Sequence, residues 1–201
     1  MENVMTEQQI ARTVKNLKEM HRFGNKENVK IHIPNAKNAL WSGLNFFTGG
    51  KAEWRNEYDK VAAWLTDNHG RGLIITGKPG TGKTLICENV IPVLLNHYHG
   101  KIVKIFAATE INKRADELLN SHIVYVDDIG IESEKNNFGE KSMVFSDLVY
   151  LTEKKGKLLI CTTNLDVDKI CEKYGDRVLD RLKEITEIIP FTGASMRGKR
   201  F

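Results

Sequence analysis

The chain has few cysteines, no long apolar run and no repeats. Its three cysteines, Cys87, Cys161 and Cys171, are odd in number and show no C-x-x-C spacing, which excludes a disulfide framework and a cysteine zinc site. Cys87 and Cys161 lie inside apolar runs and read as core thiols of a reducing compartment. No apolar run approaches the roughly 20 residues that span a bilayer. No signal peptide is visible, so a cytoplasmic protein with no membrane partner is expected. Internal repeats and low-complexity segments are absent too, which leaves one domain with a full core plus an extension for the 201 residues. A strong charge excess is also missing. The net charge of +4 permits contact with nucleic acid without arguing for it, and 28% charged with 41% hydrophobic residues is ordinary for a soluble domain.

The stretch that stands out is Gly77-Lys78-Pro79-Gly80-Thr81-Gly82-Lys83-Thr84. It reads G-x-x-x-x-G-K-T, and chance would produce it in under about one in a hundred chains of this length. Before it, Gly72-Leu73-Ile74-Ile75-Thr76 is a short apolar run suited to a buried strand. After it, Leu85, Ile86, Val90, Ile91 and Leu94 recur at helical spacing. Strand, glycine loop and helix form the context that a phosphate-binding loop requires. Backbone N–H groups of such a loop form an anion nest, and the following helix adds its positive end. Lys83 would reach the β- and γ-phosphates, and Thr84 would place its hydroxyl on Mg²⁺. Leu85 completes the nucleotide-binding set. The competing reading is a glycine turn in a Rossmann-like fold that binds something else.

The remaining chain alternates strands and helices. Thr6-Glu7-Gln8-Gln9 forms a capping box before Ile10, Val14, Leu17 and Phe23, which share one helical face. This helix either packs on its own domain or docks on another protein. Residues 25–50 read as a linker with one short element, whose Trp41, Phe46 and Phe47 are either core or a stacking surface for adenine. We set an N-terminal extension over 1–50 and the nucleotide-binding domain over 51–201. Trp54, Tyr58, Val61, Ala62 and Leu65 mark a helix ending near Asn68-His69-Gly70. Residues 101–107 read as a strand, and Ile111, Ala115, Leu118 and Leu119 as a short helix. Ile123-Val124-Tyr125-Val126-Asp127-Asp128 is an apolar strand ending in two carboxylates. A strand buried on both faces carries carboxylates only at its end, where they can meet metal and water. Asp127 would hold Mg²⁺ through its water shell, and Asp128 sits where an attacking water would be oriented. Residues 130–139 read as a polar loop, followed by a helix carrying Met143, Val144, Leu148, Val149 and Leu151. Lys154, Lys155 and Lys157 read as a solvated basic turn. Leu158-Leu159-Ile160-Cys161-Thr162 is a further buried strand, and Asn164 leaves its end beside the carboxylates. Val167 to Tyr174 is helical. Arg177 and Arg181, four apart on the next helix, either pair with Asp176 or Asp180 or reach a neighbour's nucleotide. Glu184 to Pro190 reads as a last strand, before a basic tail. The fold class is α/β: a five-stranded parallel sheet flanked by helices, with the nucleotide at the carboxyl ends of the strands.

Together the loop at 77–84, Val126-Asp127-Asp128-Ile129-Gly130, Thr162-Thr163-Asn164-Leu165, Gly175-Asp176-Arg177-Val178-Leu179-Asp180-Arg181-Leu182 and Ser195-Met196-Arg197 resemble the AAA+ helicase loaders of the DnaC/DnaI type and the related IstB-type transposition ATPases. The match runs over roughly residues 70–201. The resemblance implies an AAA+ P-loop ATPase with ATP and Mg²⁺ as cofactors, of the kind that phages and mobile elements carry for DNA replication. It implies that Asn164 is sensor 1, Arg181 the arginine finger with Arg177 as the second candidate, and Arg197 a sensor-2-like arginine. Catalysis would then rest on Lys83, Asp127, Asp128, Asn164, Arg181 and Arg197. The implied partners are a replicative helicase or other DNA-processing protein, single-stranded DNA, and further copies of the chain in a nucleotide-dependent homo-oligomer. Lys113, Arg114 and the Lys154–Lys157 turn are the candidate DNA contacts. Three alternatives stand beside helicase loading: a transposition helper, an ATP-gated interaction module with negligible turnover, and a small-molecule phosphotransferase. The chain departs from the family in four ways. Asp128 replaces a glutamate, which implies slow hydrolysis. Residues 108–122 have room for one short helix only, no lid domain follows the last strand, and the region before residue 50 matches no helicase-docking domain.

Overall fold

The computed structural model describes residues 27–133, 135–137 and 140–196, so the amphipathic stretch at 6–24 and the tail from Arg197 lie outside the described residues. The main sheet contains β1 (Gly72–Gly77), β2 (Lys104–Ala107), β3 (Ile123–Ile129), β6 (Leu158–Thr163) and β7 (Thr186–Phe191), in the order β2-β3-β6-β1-β7. Every neighbouring pair in it is parallel. The five-stranded α/β sheet is the one the sequence implied.

Side chains alternate across the strands and feed two cores. Leu73 and Ile75 of β1, with Tyr125 of β3 and Ile160 of β6, face one layer of helices. Ile74, Val124, Val126, Leu159 and Cys161 face the other. Burial on both faces explains the near-continuous apolar runs of β1 and β6, in which every position but the terminal Gly77 is buried. Each such Leu or Ile contributes about 1.5–3 kcal/mol by leaving water.

The first layer holds α1 (Ala36–Phe47), α2 (Asn56–Thr66) and the helix that follows the glycine loop. That helix is wound as a π-helix over Leu85–Val90 and continues as α3 (Ile91–His99). The second layer holds α4 (Ala115–Asn120), α5 (Val144–Lys155), α6 (Val167–Tyr174) and α7 (Asp176–Ile185).

Several local expectations change. The linker expected over 25–50 is instead an extended segment and a twelve-residue helix, α1, built into the first core. Val29, Ile31 and Ile33 alternate inward, and Ala36, Leu40 and Leu44 recur every four residues. Asn68 fastens the extended segment: its Oδ1 accepts from Ile31 N at 2.8 Å and its Nδ2 donates to Val29 O at 2.9 Å. Phe46 and Phe47 at the end of α1 are not core, since Phe46 is 79% exposed. Trp41 is half-buried, edge-on to Trp54 at 6.0 Å. The strand expected over 101–107 begins only at Lys104. The polar loop after β3 contains a short antiparallel hairpin, β4 (Lys135–Asn137) with β5 (Glu140–Ser142). α7 runs through Ile185, so β7 starts two residues later than the alternation suggested. Cys87 and Cys161 are buried and unpaired, as expected. No helix follows β7 among the described residues, and no helix there is long and apolar enough to cross a membrane.

Candidate functional site: a phosphate-binding cleft at the strand ends

β1, β3 and β6 lie side by side in parallel, so their carboxyl ends bring three motifs to one place. Gly77 closes β1, Asp127 and Asp128 end the apolar run of β3, and Asn164 follows β6. They border a cleft of about 770 Å³ lined by Pro79, Gly80, Gly82, Lys83, Thr84, Leu85, Asp127, Asp128, Thr162, Asn164 and Met196.

The loop needs glycine where it passes its neighbours. Gly77 has φ 142° and runs so close to the Phe191 carbonyl that a Cβ would collide with it. Gly82 has φ 94°, and a Cβ there would stand 2.7 Å from Met196 Cε. Thr81 Oγ1 donates to Lys78 O at 2.9 Å and braces the turn. Lys83 is 6% exposed, which demands full pairing of its ammonium group. Its Nζ donates to Gly77 O at 2.7 Å, Lys78 O at 3.0 Å and Asn164 Oδ1 at 2.9 Å. Asn164 Nδ2 donates in turn to Asp128 Oδ1 at 2.7 Å. One amide therefore links the loop lysine to the second carboxylate. Asp128 holds φ 58°, a left-handed conformation that non-glycine residues seldom adopt.

Thr84 Oγ1 lies 3.1 Å from Asp127 Oδ1. Hydroxyl and carboxylate oxygens form a hard donor set that suits Mg²⁺, which takes one or two protein oxygens plus water and phosphate. Sequence reading did not single out the two side chains that hold Asp127 from behind. Thr162 Oγ1 donates to its Oδ1 at 2.6 Å, and the Tyr125 hydroxyl bonds the same oxygen. Two signals for them were available: Tyr125 stands two residues before Asp127 on one strand face, and Thr162 breaks the apolar run of β6.

A second missed feature brings the tail over the loop. Glu57 on α2 accepts from Thr192 N at 3.0 Å and Gly193 N at 2.9 Å, and Arg55 reaches Ala194 O at 3.2 Å. Met196 N then donates to Gly80 O at 2.7 Å. Burial opposes ionisation of Glu57. The N–H groups of Glu57, Gly193 and Thr192, with nearby Arg55, outweigh it and hold the carboxyl below its usual range.

The arginines fall elsewhere. Arg181 is not among the residues lining the cleft. Its partner is neither Asp176 nor Asp180, because its Nε donates to Glu153 Oε2 of α5 at 2.7 Å and its guanidinium lies 5.6 Å from the Tyr150 ring. Arg177 is exposed on the same helix. Arg197 lies outside the described residues. Two candidate DNA contacts are used internally. Lys157 is 6% exposed and donates to Leu119 O and, at 2.9 Å, to Ser121 O. Arg114 pairs with Glu117 and Glu110 and packs on Phe106 at 4.3 Å. Lys113, Lys154 and Lys155 are exposed.

The family described as nSTAND3, novel STAND NTPase 3, matches residues 55–197. No curated protein matches the chain. Among solved structures, the chain is similar to DnaI, with 15% identity and a TM-score of 0.58 over 81% of this chain and 96% of that one. A primosome component from Streptococcus pyogenes serotype M3 gives 16% identity and a TM-score of 0.52 over 83% and 88% of the two chains. AMPPCP-bound DnaA from Aquifex aeolicus gives 13% and 0.53, over 70% of this chain and 48% of that one. These likenesses show that the chain shares the α/β P-loop fold of those proteins.

Proposed function

Since the chain belongs to the novel STAND NTPase 3 family, we propose that it binds ATP with Mg²⁺ in the cleft and hydrolyses it slowly when subunits assemble. We further propose that this cycle loads or remodels a replicative helicase on DNA. The observation that carries the nucleotide reading is the chain of contacts from Lys83 through Asn164 to Asp128, with Thr84 and Asp127 beside it. Lys83 would exchange the Gly77 and Lys78 carbonyls for β- and γ-phosphate oxygens. Mg²⁺, held by Thr84 and through water by Asp127, would neutralise charge developing on those phosphates. Asp128 would orient the attacking water and take its proton, and Asn164 would hold that water at the γ-phosphate. The base would lie toward the apolar recess formed by Leu44, Ala52, Tyr58, Leu85 and Met196, next to the cleft.

Arg181 stands outside its own cleft, which fits a group offered to the next subunit. A trans-acting arginine is worth about 10³–10⁵ in rate in other nucleotide hydrolases. The interface would be head-to-tail and would give a ring or an open spiral. Helicase loading is favoured by the near-complete coverage of DnaI. A second reading is an ATP-gated interaction module with negligible turnover. It is favoured by Asp128, one methylene shorter than glutamate, left-handed at φ 58° and engaged by Asn164.

The test is phosphate release per subunit against protein concentration, for wild type and Arg181→Ala, with and without single-stranded DNA and a replicative helicase. The loader reading expects a rate that rises with concentration, rises again with helicase, and collapses in the variant. ATP binding without turnover under every condition would establish the gated module instead. A flat rate untouched by Arg181→Ala would end the proposal for the finger.

A further inference from the structure

Three hydroxyl groups converge on one oxygen of Asp127. Tyr125 bonds Oδ1, Thr162 donates to it from 2.6 Å, and Thr84 Oγ1 stands 3.1 Å away. Oδ2 receives none of these three bonds. Tyr125 and Thr162 are 0% and 1% exposed, so neither hydroxyl has bulk water as an alternative partner. A buried hydroxyl left unpaired is costly, and each of these two has the carboxylate within donating reach, the two hydroxyls themselves standing 3.2 Å apart.

The two side chains reach Asp127 from different strands. Tyr125 precedes it by two on β3 and leaves the same face, while Thr162 comes from the adjacent β6. Thr162 has a second role with its lone pairs, accepting from the Asp128 peptide N–H at 2.9 Å. One hydroxyl therefore touches both acidic residues: the side chain of the first and the backbone of the second, at the point where the chain turns left-handed.

We propose that Tyr125 and Thr162 are positioning residues for the metal. They grip Asp127 by one oxygen and thereby hold the other for the water shell of Mg²⁺, and Thr162 ties that grip to the Asp128 backbone. The inference rests on the reading of the cleft as a Mg²⁺–ATP site. Loss of a hydrogen bond behind a directly bound metal ligand costs about 10- to 100-fold in metal affinity or activity, and because Asp127 meets the ion through water the effect here belongs at the low end of that range.

The experiment measures binding, not turnover. A fluorescent ATP analogue is titrated into wild type, Thr162→Val, Thr162→Ser and Tyr125→Phe, in EDTA and across a Mg²⁺ series. Thr162→Val should raise the Mg²⁺ midpoint about tenfold, Tyr125→Phe should raise it in the same direction, and Thr162→Ser should restore it. Affinity in EDTA should stay within about twofold of wild type throughout, because Lys83 and the loop carry that part. Unchanged midpoints in both Thr162→Val and Tyr125→Phe overturn the proposal. An equal loss of affinity with and without Mg²⁺ also overturns it, since that marks a general structural defect. If Thr162→Val fails to fold, the Tyr125→Phe midpoint decides alone. A wild type whose binding ignores Mg²⁺ overturns the reading of the cleft itself, a different outcome from a wild type that responds and variants that respond equally.

Discussion

At the scale of single residues, the proposed roles assign binding and turnover to different side chains of the cleft. Lys83 is held inside the loop by two of the loop's own carbonyls. Lys83→Ala should lower ATP affinity about 100-fold, the worth of one or two charge-assisted hydrogen bonds, as isothermal titration would report. Asp128→Asn keeps the bond distance to Asn164 and the tolerance for φ 58°, and removes only the base. It should bind ATP as the parent does while phosphate release falls about 10²- to 10⁴-fold. An equal loss of binding in Asp128→Asn would mean that the carboxylate shapes the cleft and does not act on water. The two substitutions also mark what the sequence made legible. Residues 77–84 and the Asp127-Asp128 pair were readable because their chemistry needs fixed types at fixed spacing along one short stretch. Tyr125 and Thr162 were not, because they act on Asp127 only once β6 lies beside β3. Nothing local distinguishes a tyrosine or threonine that packs from one that holds a carboxylate.

At the scale of elements, two ties fasten segments that periodicity could not place. The first is Asn68, 2% exposed, which binds Ile31 N and Val29 O and also the Arg71 carbonyl at 2.9 Å. Asn68→Ala would strand buried backbone groups of the extended segment and should cost about 3 kcal/mol, or roughly 10 °C in Tm for a domain of this size. Limited proteolysis should then cut between residues 27 and 35, and protection equal to wild type would refute the tie. The segment was illegible because five residues alternating Val-x-Ile-x-Ile are too short to distinguish from a linker. The helix after them follows a proline and a left-handed Asn35 with no side-chain cap. The second tie is the clamp from Glu57 to the Thr192 and Gly193 amides. The carboxyl is depressed below its usual 4.5. Its contribution is therefore fully present above that value and is lost as pH falls through the lower, folded-state value. Wild type should lose thermal stability relative to Glu57→Gln on acidification below about pH 4.5, with the difference between the two constant near neutrality. A gap between the two melting curves that does not narrow in acid would exclude a role for the ionised clamp.

At the scale of the whole molecule, the proposed assembly turns on the placement of Arg181. The guanidinium is held by Glu153 beside Tyr150, on helices α5 and α7 of the second layer, while the cleft opens at the strand ends bounded by the glycine loop. Arg181 does not line the cleft of its own chain, and the helix that carries it is anchored in the core by buried Leu179 and Leu182. The proposed roles, a cleft on one face of the chain and a finger at Arg181, predict complementation. Lys83→Ala has a ruined cleft and an intact finger, and Arg181→Ala has the reverse. Each alone should be inactive. Mixed in equal amounts, about one interface in four joins an intact cleft to an intact finger, so activity should return to roughly a quarter of wild type in a head-to-tail assembly. The recovered activity should vanish on dilution, as association is lost. A mixture as inactive as its components would place any arginine finger within the subunit or remove it altogether, and recovery that survives dilution would mean the assembly is permanent and not set by nucleotide.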